Sequence, residues 1–292
     1  MAKFLITGAK GQVGHCLTQQ LTGKAEILAV DRDELDITDQ SAVKKIVETF
    51  KPDVIINAAA HTAVDRAESE VELSEAINVK GPQYLAEAAN KIGAVILHIS
   101  TDYVFEGIGS GEYKEEDQTN PQGVYGRTKL AGEIAVQQAN PRSIILRTAW
   151  VFGEHGHNFI KTMFRLAKDR DSLGIVGDQF GGPTYAGDIA KTLIEIANQI
   201  LAGKENAFGV YHFTGKPYVS WYEFAKAIFA EAELQKLLEK QPHLKAITTA
   251  EYPTPAKRPA NSRLDLTKIK QVFNIEPSDW HKALKNIKAY AS

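Results

Sequence analysis

Tyr125 and Lys129 stand four residues apart in the run Tyr125-Gly126-Arg127-Thr128-Lys129. On a helix that spacing puts both on one face, a single turn from each other. A phenol is a weak acid with an unperturbed pKa of roughly 10. A neighbouring ammonium favours the phenolate and lowers that value. The pair is therefore a candidate for giving or taking a proton near neutral pH. The spacing says little by itself, because an inward aromatic beside a solvated lysine is a common helix pattern. The elements around it decide which chemistry it serves.

The first of these is Gly8-Ala9-Lys10-Gly11-Gln12-Val13-Gly14. It follows the apolar run Phe4-Leu5-Ile6 and precedes a helical pattern of Val13, Leu17 and Leu21. Strand, glycine turn and helix form the context that a dinucleotide requires. The glycines allow the tight turn and let backbone N–H groups approach a pyrophosphate. The helix N-terminus adds partial positive charge. Residues 26–30 read as a second strand that ends at Asp31-Arg32. An acidic residue there, about 20 residues past the glycines, can accept from the adenosine ribose. Arg32 beside it suits a 2′-phosphate. The two residues point to opposite cofactors, which leaves NADH and NADPH both open.

Further strand ends carry small or polar residues. Asp36-Ile37-Thr38-Asp39 precedes a helix, with Thr38 or Asp39 as its cap. Val54-Ile55-Ile56 runs into Asn57-Ala58-Ala59-Ala60-His61-Thr62, at the strand end where open α/β sheets place ligands. His61 reads as a polar loop residue rather than a catalyst. Residues 72–90 are helical, with a break or kink expected at Gly81-Pro82. Asn78 stands just before it. Residues 94–99 form a fourth strand, ending at Ser100-Thr101-Asp102-Tyr103-Val104-Phe105. Residues 106–124 show no period, and a loop of that length is often a lid or substrate loop. The Tyr125 helix follows, then a fifth strand at 142–147 that ends at Thr148-Ala149-Trp150.

This alternation predicts an α/β fold, a Rossmann-like doubly wound parallel sheet with a smaller, discontinuous C-terminal substrate domain. Residues 1–149 are expected to form the NAD(P)-binding domain, with about 173–213 packing onto it. Residues 150–172 and 214–292 are expected to form the substrate domain. Residues 172–176 read as an added edge strand, and Ser220 as the cap of a helix from Trp221.

Composition excludes several classes. The chain has 292 residues, 43% of them apolar, and a net charge of -2. That balance offers nothing to a nucleic-acid backbone. The single cysteine, Cys16, excludes an intramolecular disulfide and gives no zinc spacing. No apolar run approaches the ~18 residues of a membrane helix, and the expected location is the cytoplasm. The histidines show no metal-ligand spacing, so no metal site is expected. Neither a Gly-x-Ser-x-Gly elbow nor a P-loop is present.

Together Gly8-x-x-Gly11-x-x-Gly14, the Asn57 to Ala60 loop, Ser100-Thr101-Asp102 and Tyr125-x-x-x-Lys129 resemble the extended short-chain dehydrogenase/reductases. The strings at 59–65, 100–105, 147–153 and 178–184, with Arg258-Pro259-x-x-Ser262-x-Leu264, are similar to the branch that reduces dTDP-linked 4-keto sugars. The resemblance implies reduction of the C4 ketone of dTDP-4-dehydro-L-rhamnose by NAD(P)H, the last step of dTDP-L-rhamnose synthesis, which feeds O-antigen and cell-wall polysaccharide. It implies that Gly8, Gly11, Gln12, Val13 and Gly14 hold the cofactor pyrophosphate, and that Asp31, Arg32, Asp36 and Ile37 flank the adenosine. Ala60, His61 and Thr62 would lie along the cofactor. Thr101, Tyr125 and Lys129 would be the catalytic set, with Tyr125 and Lys129 also touching the cofactor. Val64, Thr101, Asp102 and Trp150 would meet the nucleotide sugar.

Some members of the family form dimers bridged by magnesium through glutamates. This chain has His15-Cys16 after the glycine motif, Gly187-Asp188 at a second such place, and Ala291-Ser292 at its end. The expectation is a monomer or homodimer that needs no metal. Two other readings share the fold. An epimerase or dehydratase would keep its NAD bound, and a dehydratase would want Asp-Glu after the threonine, where this chain has Asp102-Tyr103. A non-enzymatic relative, such as a regulatory subunit of methionine adenosyltransferase, would not need the intact Thr101, Tyr125 and Lys129.

Overall fold

The structure, a computed structural model, describes residues 1–291; Ser292, named in the expectation about the chain end, lies outside the described residues. Six strands form the central sheet: β1 (Lys3–Thr7), β2 (Glu26–Val30), β3 (Val54–Asn57), β4 (Val95–Thr101), β5 (Ser143–Thr148) and β6 (Gly209–His212). All pair in parallel, in the order β6-β5-β4-β3-β1-β2. β3 and β5 are buried along their whole length, as strands covered on both faces must be. The order reverses between β1 and β3, which opens a crevice at their C-terminal ends.

The helices that cover the sheet and build the rest are α1 (Gln12–Leu21), α2 (Gln40–Phe50), α3 (Gly81–Lys91), α4 (Val124–Ala139), α5 (Phe159–Asp169), α6 (Ala186–Leu201) and α7 (Trp221–Leu234). Leu17 of α1 and Leu193 of α6 pack with Ile6 and Leu97 on one face of the sheet. Val43 of α2 and Leu85 of α3 pack with Leu5 and Ile96 on the other. A third core, with Phe152, Phe164, Phe224, Trp280 and Tyr290, lies in the second half of the chain. Asp39 caps α2 by accepting from the Ala42 N–H at 3.0 Å. Asn158 caps α5, and Ser220 with Glu223 forms a capping box on α7.

Two local expectations are corrected. The chain does not break at Gly81-Pro82. Residues Ala76–Lys80 wind as a π-turn and Pro82 falls in the first turn of α3. There the missing proline N–H costs no intrahelical bond. Ser172–Val176 does not extend the main sheet but pairs in parallel with His243–Ile247 as a separate ribbon. The 106–124 loop is anchored at several points. Tyr113 N–H donates to the Arg263 carbonyl at 2.9 Å, and the Glu115 carboxylate accepts from the His212 N–H. Asn261 donates to the carbonyls of Ile108 and Gly111.

Candidate active site

The glycine loop is a cradle that side chains would fill. Gly8 has φ +69°, and a Cβ there would strike the Ala58 and Ala59 backbone at 2.6 Å. A Cβ on Gly14 would lie 2.0 Å from the Gly8 carbonyl oxygen, which is how closely α1 packs on the turn. Gly11 is different: a Cβ there would meet only the Gly8 oxygen, at 3.3 Å. Gly11 is the N-cap of α1, and no side chain caps that end. The first N–H groups of α1, from Gln12 and the buried Val13, are thereby left to an anion. The Gln12 amide oxygen accepts from Asn158 at 3.2 Å and so ties this end to the start of α5. These residues fit a dinucleotide diphosphate.

At the end of β2 the Asp31 carboxylate accepts from the Lys10 N–H at 2.9 Å and from the Arg32 N–H at 2.8 Å. Asp31 thus braces the glycine loop. Arg32 makes no salt bridge among the described residues, while Lys10 pairs with Asp33. Asp36 accepts from the Thr38 N–H and hydroxyl, which hold its carboxyl below the usual carboxylate range. Ile37 is buried and fills the space over Gly81, where a Cβ would meet it at 2.5 Å.

Across the strand ends runs a buried polar ladder. The Asn57 amide oxygen accepts from the Thr7 hydroxyl at 2.6 Å and from the Ala59 N–H at 3.2 Å. Its NH2 must then face His98 Nδ1, 2.9 Å away. That contact makes Nδ1 an acceptor and puts the imidazole proton on Nε2. Burial, and the nearby Lys129, push His98 well below its ordinary pKa. The loop that follows is clamped by Asn78. Its amide oxygen accepts from the His61 N–H at 2.8 Å, and its NH2 donates to the His61 carbonyl at 3.2 Å and to the Thr128 hydroxyl at 3.1 Å. Asn78 lies in the π-turn, whose carbonyl approaches so near α4 that a Cβ on Gly132 would sit 2.0 Å from it. The extra residue of a π-turn turns the amide inward, a common use of this irregularity. His61 itself is held by Ser74 at 2.9 Å and Glu70 at 3.0 Å, Ala60 is half-buried beside it and Thr62 is exposed.

The structure brings Thr101, Asp102 and Tyr125 together. Thr101 ends β4, and its hydroxyl donates to Asp102 Oδ1 at 3.1 Å. The Tyr125 phenol lies near enough to this hydroxyl for Thr101 to draw its pKa down. Gly126 makes this approach possible, since a Cβ there would lie 2.2 Å from the Tyr103 carbonyl oxygen. The expected lowering of the Tyr125 pKa is not found. Burial pushes it up to about 12, the nearby Thr101 hydroxyl works against this, and the Asp102 carboxylate raises it further. Lys129, one turn on, is buried and donates to the Ile99 carbonyl at 2.6 Å. Its own pKa falls to about 8 by desolvation, with Glu133 acting the other way. Glu133 in turn forms a buried bidentate pair with Arg147, at 2.9 and 2.7 Å, and accepts from the Ser100 hydroxyl. Asp102 is buried and its carboxyl rises to about 6 by desolvation.

Trp150 sits two residues past β5 with φ +54°, a conformation that bulky residues seldom adopt. Its indole lies under Trp221, centroids 3.5 Å apart and planes 12° apart. Gly181 leaves room for it: a Cβ there would meet the ring at 2.7 Å. Val64 is half-buried at the start of the turn Val64–Ala67. The next residue, Asp65, forms a bidentate pair with Arg258 at 2.8 Å on both sides, joining this turn to the proline-rich loop near the C-terminus. Sequence reasoning singled out Asn78 as an amide near the strand ends, but not the Glu133–Arg147 pair, Trp221 or Thr148. The only signal for them is proximity to the motif residues.

Comparison with known proteins agrees with this geometry. The family model described as RmlD substrate binding domain matches residues 2–291. A dTDP-4-dehydrorhamnose reductase of Aggregatibacter actinomycetemcomitans is 60% identical over 293 residues, covering 100% of both chains. A crystal structure of a dTDP-4-dehydrorhamnose reductase from Clostridium acetobutylicum superposes with a TM-score of 0.91 at 42% identity, covering 98% of each chain. One from Bacillus anthracis, in complex with NADP, has a TM-score of 0.91 at 34% identity, covering 99% of each. From end to end, in sequence and in fold, the chain belongs to the dTDP-4-dehydrorhamnose reductase family.

Proposed function

We infer that the protein is an NAD(P)H-dependent reductase that converts the C4 ketone of dTDP-4-dehydro-L-rhamnose to the alcohol of dTDP-L-rhamnose. The observation that carries this reading is the placement of Thr101 at the end of β4 and Tyr125 in the first turn of α4, beside the glycine cradle, in a chain 60% identical to a reductase of that name. Bound in the glycine cradle, the nicotinamide cofactor supplies the hydride. The Thr101 hydroxyl donates to the ketone oxygen and draws charge onto it. Tyr125 then hands its proton to the same oxygen. With a pKa near 12 the phenol stays protonated at neutral pH. An alkoxide is more basic still, so the transfer runs downhill. Lys129, with a pKa near 8, keeps most of its charge at neutral pH and holds the cofactor ribose. Val64, Asp102 and Trp150 line the sugar side.

Both cofactors are proposed to serve, with NADPH favoured. Both Asp31 carboxylate oxygens already accept backbone N–H groups, whereas the Arg32 guanidinium is free for a 2′-phosphate. We also propose two lobes: residues 1–149 with about 173–213 for the cofactor, and 150–172 with 214–292 for the sugar. Asp188, near one position of the family's metal-bridging glutamates, accepts from the Ser278 hydroxyl at 2.6 Å. We therefore propose assembly as a monomer or homodimer without magnesium; a mass that changes with EDTA in light scattering would refute it. No described helix is long and apolar enough to cross a membrane, and the proposed location is the cytoplasm.

The test is a coupled assay. The dTDP-4-keto sugar is made with the upstream dehydratase and epimerase, NADPH or NADH is added, and absorbance is followed. Fresh substrate that leaves the cofactor unoxidised refutes the reductase reading. Cofactor that stays bound without net consumption points to the epimerase or dehydratase instead.

A further inference from the structure

Two buried oxygens beside Thr101 have no hydrogen-bond partner among the described residues: Asp102 Oδ2 and the Thr148 hydroxyl. Their residues are only 4% and 5% exposed. The Thr101 hydroxyl donates to Oδ1, and Oδ2 accepts no hydrogen bond among the described residues. Thr148 is the in-register partner of Thr101 across the β4–β5 pair. Parallel partners point their side chains to the same face, one strand spacing of about 4.8 Å apart. The catalytic hydroxyl is therefore flanked by a free acceptor along the chain and a free hydroxyl across the sheet.

Leaving either group unpaired costs stability, and natural structures keep few such groups without a purpose. A ketone oxygen cannot serve both, because it only accepts and a carboxylate needs a donor. An alcohol can: it donates its proton to Asp102 Oδ2 and accepts one from Thr148. Thr101 is the group that engages the ketone, so the alcohol belongs on the carbon next to it.

We propose that Thr148, acting with Asp102, binds the sugar hydroxyl adjacent to the ketone and sets the enzyme's specificity for substrates that carry it. This rests on the reductase reading given above. A site built to hydrogen-bond a hydroxyl discriminates strongly against the analogue lacking it, because its own polar groups are then stranded.

The experiment compares wild type, Thr148→Val and Thr148→Ser on the dTDP-4-keto sugar and on its analogue deoxygenated next to the ketone. Thr148→Val keeps the shape and removes the hydroxyl. The expected result is a loss of about ten- to hundredfold in kcat/KM on the parent sugar, little further loss on the deoxy analogue, recovery with Thr148→Ser, and an unchanged NADPH Kd. Equal losses on both sugars overturn the proposal, as does a raised NADPH Kd without a change in sugar discrimination. If wild type oxidises no NADPH with the parent sugar, the reductase reading fails instead. Calorimetric binding of dTDP-L-rhamnose and its 3-deoxy form to wild type and Thr148→Val then tests Thr148 by the same ratio.

Discussion

The Trp221 ring lies flat on the Trp150 ring, centroids 3.5 Å apart, and Phe159 stands 4.7 Å from Trp221 on α5. Trp150 is held at φ +54° at the end of the sheet, and Trp221 comes from the first turn of α7, 71 positions further along the chain. The stack stabilises a backbone conformation that a tryptophan would otherwise leave. We propose that Trp221 is a positioning residue, acting on the sugar side through Trp150.

Trp221→Ala is expected to raise the KM for the nucleotide sugar about three- to tenfold, in line with the worth of an aromatic pair. The KM for NADPH should not move. The coupled tryptophan signal in the circular dichroism spectrum should vanish with it. A loss of kcat with both KM values unchanged would contradict this role.

Tyr125→Phe removes the proposed proton donor and leaves the ring in place. Turnover should fall by about 10² to 10⁴, with NADPH binding near normal. Thr101→Val should cost about 10² to 10³ in kcat, as the loss of one donor to a developing oxyanion does. Equal losses of binding and turnover in Tyr125→Phe would mark a structural tyrosine.

Asp102 predicts a pH-dependent stability. Its carboxyl rises from 3.8 to about 6 on folding, chiefly by desolvation. Between those values the folded state holds more protons than the unfolded one, so stability falls as pH rises through this window. The penalty is absent at low pH and complete above about 6. Thermal melts of Asp102→Asn and wild type should therefore differ little at low pH. The gap should change in favour of the variant up to about pH 6 and then level off. A gap independent of pH would show that the carboxyl is not raised.

Glu133 and Arg147 are 2% and 5% exposed in their side chains and paired at 2.7 Å. Glu133→Ala would leave a buried guanidinium unmatched, at a cost of about 3–5 kcal/mol. Replacing both, with Glu133→Leu and Arg147→Met, should recover much of that loss in denaturant melts. Arg147 also reaches the Glu115 carbonyl, so the double variant should make the 106–124 loop exchange its amides faster.

Arg32→Ala should raise the KM for NADPH by about tenfold or more and leave that for NADH within twofold, since a charge-assisted contact to a phosphate is lost. An equal change for both cofactors would remove Arg32 from the 2′-phosphate site.

What the sequence determined by itself was local or periodic. The strand–glycine–helix order located the cradle, because a tight turn and close packing admit only glycine at Gly8 and Gly14. A cap at Thr38 or Asp39, of which the structure uses Asp39, and the shared face of Tyr125 and Lys129 follow from helix geometry within one turn. The parallel sheet followed from the alternation of buried strands and helices. The tertiary structure alone decided the rest. Thr148 became the neighbour of Thr101 only through the β4–β5 register. Trp221 met Trp150 across 71 positions of chain, and Asn78 reached His61 by way of a π-turn where the sequence suggested a proline break. The ionisation of Tyr125 was also out of reach. Spacing to Lys129 argued for a lowered pKa, but desolvation depends on everything packed around the phenol, and it won.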